Sequence, residues 1–217
     1  QASPLFIVCG PSGTGKTQLP FSLHRPVLYF TQSSEQSIYP LFKNISDFFG
    51  ELFEYDFELF AKEQGIVDKY INENSEKYSL DKFNTAAIVN NSSFKYSSLS
   101  FLVELIRKVN DLKNGKYFDL SWDRIQLTLC ENILCSLLTI SETRIRLKNI
   151  LENEKLEKLP LIFLDEYNVL DDNPSLTKAK YFFLRNLIRV ANLIPVLIGS
   201  NSDMKYMTTA KERNEYE

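Results

Sequence analysis

The chain of 217 residues has one His, one Trp, three Cys and seven Gly, and little net charge, with 25 basic against 28 acidic side chains. No uninterrupted apolar run approaches the roughly 18 to 20 residues needed to cross a bilayer, and the first residues show no basic-then-apolar leader pattern. The reading is therefore a soluble, intracellular protein with no membrane partner. Cys9, Cys130 and Cys135 have no metal-ligand spacing, and their odd number argues against a disulfide framework, so all three are expected as core thiols. His24, beside Arg25 and Pro26, reads as a loop residue rather than a ligand. The slight acidic excess gives no electrostatic reason to expect nucleic acid and leaves a local basic patch open. The chain starts at Gln1, only a few residues before its first apolar run, and is expected to be part of a longer protein.

Apolar residues make up 44% of the chain, with 16 Phe and 11 Tyr among them, which excludes a disordered chain. The length suits one domain with a sizeable core, or a domain carrying a large insertion. Pro4 to Cys9, Val27 to Thr31, Leu159 to Leu164 and Ile194 to Gly199 are short apolar runs with polar or glycine stops, the pattern of buried parallel strands. Leu99, Leu102, Leu105, Ile106 and Val109 recur at helical spacing, with Ser97 and Ser98 as candidate caps. Ile125 to Leu138 and Ile140 to Leu151 repeat that pattern more weakly, and the Asn- and Ser-rich stretch from Gln64 to Ser98 reads as loops. Leu176, Ala179, Phe183, Leu187 and Val190 share one helical face, with Lys178, Arg185 and Arg189 opposite. Strands alternating with helices imply an α/β fold with a parallel sheet.

Gly10-Pro11-Ser12-Gly13-Thr14-Gly15-Lys16-Thr17 fits G-x-x-x-x-G-K-[ST] directly after a strand run, the context this phosphate-loop (Walker A) pattern requires. Glycines let the backbone wrap a phosphate with its N–H groups inward; Lys16 then reaches the β- and γ-phosphates, and the Thr17 hydroxyl ligates Mg²⁺. Gln18 follows at the loop's exit and is included among the nucleotide contacts. By chance the pattern arises in about one chain in a hundred at ordinary glycine frequencies. Pro20 falls early in the helix that should follow, so that helix is expected to be short or distorted and to end before Pro26.

Asp165 and Glu166 close an apolar strand at its carboxyl end, where α/β sheets place their sites. Paired with the phosphate loop they read as a Walker B element: Asp165 holds Mg²⁺ through a water, and Glu166 polarises the water that attacks the γ-phosphate. Asn201, after the next strand, is the candidate sensor of that water or of the γ-phosphate. Arg185 and Arg189 are weighed as arginine fingers for a neighbouring subunit against the plainer reading of a solvated basic face.

Taken together, GPSGTGKTQLPFSL, PVLYF, LIFLDE and FFLRNLIRVANLIPVLIGSNS resemble the ASCE division of P-loop ATPases, the AAA+ and STAND-like groups broadly, and more narrowly the P-loop domain of Crinkler-type effectors. The likeness covers about residues 4 to 31 and 159 to 203. It implies a three-layer αβα P-loop fold, a single domain over 1–217 with a parallel sheet of about five strands. A mostly helical insertion, about 32–158, would lie between the second strand and the Walker B strand. It implies ATP and Mg²⁺ as cofactors, hydrolysis of ATP as the reaction, and ATP rather than GTP, since no N/T-K-x-D segment follows Asp165. Possible partners by this resemblance are further copies of the chain and an attached nuclease-like or kinase-like domain; a secreted effector of this kind would act in host cytoplasm or nucleus. Two alternatives stay open: a nucleotide-controlled signalling switch with slow hydrolysis, and a nucleic-acid-remodelling ATPase of the transposition or helicase-loader kind.

Overall fold

In the computed structural model the described residues are 3–11, 13–23, 26–31, 40–63, 85–91, 93–111, 137–153, 158–165 and 174–199. Four apolar runs form the strands β1 (Phe6–Cys9), β2 (Val27–Thr31), β3 (Leu161–Asp165) and β4 (Ile194–Gly199). They pair in parallel in the order β1-β4-β3-β2. The expectation of about five strands thus stands at four among the described residues. β3 and β4 are central, and all five residues of β3 are buried, as a strand covered on both faces must be.

The helices are α1 (Leu19–Ser22), α2 (Pro40–Glu63), α3 (Thr85–Asn90), α4 (Ser97–Asp111), α5 (Ile140–Asn153) and α6 (Pro174–Val190). Strand side chains alternate between two unequal layers. Leu28, Phe30, Ile162, Leu164 and Leu197 join the large cluster built by α2 to α6, whereas Tyr29, Phe163, Val196 and Ile198 pack with Leu19, Phe21 and Leu23, in and just after α1. Wherever it is described, the chain between β2 and β3 is mostly helical. α1 is a single turn carrying Pro20 in its first residues, where a missing N–H costs no helical bond, and it is short and ends before Pro26, as expected, at Ser22.

Several local expectations differ from the structure. The serines at the start of α4 do not cap it; the carboxylate of Asp56, from the middle of α2, accepts the N–H groups of Ser97 and Ser98 at 2.8 Å each and both hydroxyls as well. Thr85–Asn90, inside the stretch read as loops, is helical because Ile88 is buried completely against the core. Of the run Ile125 to Leu138, residues 125–136 lie outside the described residues, and Leu138 is not helical: it makes an antiparallel bridge with Tyr96, Tyr96 N–H donating to Leu138 O at 2.8 Å. α5 starts from a capping box, in which Glu142 N–H donates to Thr139 Oγ1 at 3.2 Å and Thr139 N–H donates to Glu142 Oε2 at 2.8 Å. α6 ends in a Schellman motif with Asn192 at φ 65° in the position usually taken by glycine. Leu193 N–H donates there to Ile188 O and Asn192 N–H to Arg189 O.

Candidate nucleotide site

β1 delivers the chain into the Gly-rich loop at the carboxyl edge of the sheet. Gly13 and Gly15 have φ of 79° and 82°, a left-handed backbone that any side chain would strain, so glycine is required there by conformation. Thr14 Oγ1 donates to Pro11 O at 2.9 Å and closes the loop's first turn. The Lys16 side chain folds back across it, its Nζ donating to Gly10 O at 2.8 Å and Pro11 O at 2.7 Å. Among the described residues the N–H groups of Gly13, Thr14, Gly15, Lys16 and Thr17 donate to no acceptor; the first N–H of the stretch to do so is that of Gln18, on Gly15 O at 3.0 Å. Consecutive amides without acceptors beside a lysine ammonium make this stretch electropositive and suited to an anion.

Lys16 and Thr17 lie in a 3₁₀ turn, Lys16–Gln18, that packs on β4, and α1 packs on β2. β4 and β2 are the neighbours of β3, so the loop and its exit run along the face to which Leu161, Phe163 and Asp165 point. Asp165 ends β3 on that face and is 3% exposed. Tyr29 Oη donates to Asp165 Oδ2 at 2.6 Å, and the Tyr29 ring packs on Phe21 of α1 at 5.3 Å between centroids. Thr31, at the end of β2 and in register with Asp165, has its N–H on Ser46 Oγ at 2.9 Å. At the same edge Gly199, the last residue of β4, pairs with Cys9.

Of the residues singled out in the sequence, Gly10, Pro11, Gly13, Thr14, Gly15, Lys16, Thr17 and Gln18 form the loop and its exit, and Asp165 shares their face of the sheet. Ser12, Glu166 and Asn201 lie outside the described residues. The arginines on α6 are neither a solvated face nor free to reach a neighbour. Arg185 is 4% exposed, its guanidinium 4.5 Å from the centre of the Phe182 ring. Arg189 donates through Nε to Ser3 O at 2.9 Å, while Ser3 N–H donates to Arg189 O at 3.1 Å. An arginine so placed serves packing, its planar group covering an aromatic face or tying down a backbone. Cys9 is exposed rather than a core thiol, because β1 borders the described sheet with Phe6 and Cys9 turned to solvent; Cys130 and Cys135 lie outside the described residues. Tyr29 was not foreseen: alternation assigns it a face, and only the strand order shows that this is the face of Asp165.

No family model matches the chain, nor does any curated protein or solved structure. What fold and site define together is an α/β protein with a parallel sheet, whose Gly-rich loop and buried carboxylate lie at the same carboxyl edge. Among the described residues no helix is long and apolar enough to cross a membrane.

Proposed function

We propose that the chain is a Mg²⁺-dependent ATPase domain of the P-loop type, similar to that of Crinkler-type effectors. The observation that carries the reading is the meeting, on one face and one edge of the sheet, of a loop with two left-handed glycines, a lysine lying across it, and a buried carboxylate. The order β1-β4-β3-β2 supports it further, because the strand leading to the candidate sensor runs between the strand feeding the loop and the strand ending in Asp165.

The donor set fits a nucleoside triphosphate with its metal. Amides of Gly13 to Thr17 take phosphate oxygens, and Lys16 exchanges two neutral carbonyls for charged phosphate oxygens, contacts about twice as strong. The Thr17 hydroxyl and the Asp165 carboxylate are hard oxygen donors of the kind Mg²⁺ prefers. When bound, Mg²⁺ neutralises charge on the β- and γ-phosphates. Glu166, next in the chain after Asp165, accepts a proton from the attacking water, and Asn201 orients that water. The work is positioning and electrostatics, which is what phosphoryl transfer asks of a protein. With Arg185 and Arg189 engaged inside their own chain, turnover is expected to be slow, since an arginine acting on the transition state is worth roughly a thousandfold or more.

Single-turnover hydrolysis of ATP with Mg²⁺ tests the reaction. The parent chain should convert bound ATP to ADP and phosphate, and Glu166→Gln should bind ATP as well as the parent while its rate falls by about a hundredfold or more. Binding with no phosphate release from the parent would leave a nucleotide-binding domain that is not an ATPase.

A further inference from the structure

The sheet gives the buried carboxylate a partner that the phosphate-loop pattern does not call for. Tyr29 lies on β2 in register with Phe163, two residues before Asp165 on the neighbouring strand, so its side chain reaches diagonally along the shared face. Its hydroxyl donates to Oδ2 at 2.6 Å, with both residues nearly sealed from solvent at 6% and 3% exposure. Among the described residues Oδ1 accepts no hydrogen bond. The carboxylate oxygen left without a donor is a hard ligand of the kind a divalent cation takes. The phenol is itself braced, its ring packed against Phe21 in the turn of helix that follows the loop.

We infer that Tyr29 is a positioning residue for the metal site: it engages one oxygen of Asp165, fixes the carboxylate's rotamer, and presents the other oxygen to the cation held with the nucleotide. The inference rests on the P-loop reading above and adds to it a residue outside both motifs. Outer-shell partners of this kind typically govern metal affinity by about 10- to 100-fold. Through Phe21 the same phenol links Asp165 to α1, the helical turn that directly follows the 3₁₀ turn carrying Lys16 and Thr17.

The test is an equilibrium titration of Mg²⁺ into the protein with a fluorescent ATP analogue, beside the same binding measured in EDTA. Tyr29→Phe keeps the ring on Phe21 and removes only the hydroxyl. Its apparent Mg²⁺ affinity should fall by about tenfold or more, with binding in EDTA equal to that of the parent. Tyr29→Phe combined with Asp165→Asn should be no weaker toward Mg²⁺ than Asp165→Asn alone, because the phenol acts only through that carboxylate. A Mg²⁺ titration of Tyr29→Phe that superimposes on the parent's, a full additional loss in the double variant, or a loss of binding in EDTA would each overturn the inference while leaving the P-loop reading intact. A parent chain that binds no nucleotide, or binds it without regard to Mg²⁺, would overturn both.

Discussion

Asp56 sits in α2 with no exposed surface, accepting four hydrogen bonds from Ser97 and Ser98 across 41 and 42 residues of sequence. Burial pushes its carboxyl above the ordinary value of 3.8, and the bonds from Ser98 and Ser97 pull it part of the way back. In the interval between the ordinary and the raised value the folded chain keeps a proton that the unfolded chain has released. Stability therefore falls as pH rises through that interval. Urea midpoints measured from pH 4 upward should show this decline in the parent and a flatter profile in Asp56→Asn; parallel profiles would contradict it. Tyr96 is fully buried nearby and its hydroxyl has no partner among the described residues; burial raises its pKa, and the charges of Asp56 and Glu63 add to the rise. None of this is legible beforehand, since a lone Asp in an amphipathic helix looks like a surface residue until the helix it caps is in place. The pairing of Thr139 with Glu142 is different: both lie within one turn, and the T-x-x-E pattern marks that helix start in the sequence itself.

The same contrast between near and distant partners holds for elements. The strands Val27–Thr31 and Ile194–Gly199 are read to the residue, because a short apolar run with a polar or glycine stop has few other uses. The carboxyl ends of β1 and β3 come out within a residue, while their starts are later than the apolar runs suggest, after Pro4 and Pro160, which cannot donate to a ladder. α2 carries Phe49, Phe53, Phe57 and Phe60 at helical intervals, all buried, a stripe legible in the sequence though hidden within a long segment of similar composition. What the stripe packs on is settled by tertiary structure. Phe183 of α6 has ring centroids of Phe60, Phe57, Phe53 and Tyr96 at 5.0, 5.5, 5.7 and 6.3 Å, and Lys180, one turn earlier, pairs with Glu54 at 2.7 Å. Phe183→Ala should cost about 3 to 5 kcal/mol, read as a lowered urea midpoint with an unchanged slope. A cost below about 1 kcal/mol would mean that α2 and α6 are not held together through this ring.

At the scale of the whole molecule, the motifs could be located in the sequence, and their meeting could not. Gly10 to Thr17 and Asp165 are separated by more than 140 residues of sequence. They share an edge because parallel strands put all carboxyl ends at one side, and a face because β1, β4, β3 and β2 stand in that order. Strand order is a property of the packed sheet and leaves no local mark on the chain; the same is true of the fate of Arg185, whose charge suggested solvent and whose guanidinium lies on Phe182. The two sides of the sheet also differ in kind. Among the described residues, one carries five helices and most of the core, and the other carries the single turn that leaves the phosphate loop, with the site on that second side. The central claim is that this side binds a nucleoside triphosphate through Lys16 and the loop amides. Equilibrium binding of ATP with Mg²⁺ to the parent chain and to Lys16→Ala tests it most directly. Saturable binding by the parent, weakened by about a hundredfold or more in Lys16→Ala, is the result predicted for loss of a charge-assisted contact to phosphate; equal binding by the two, or none by the parent, would contradict it.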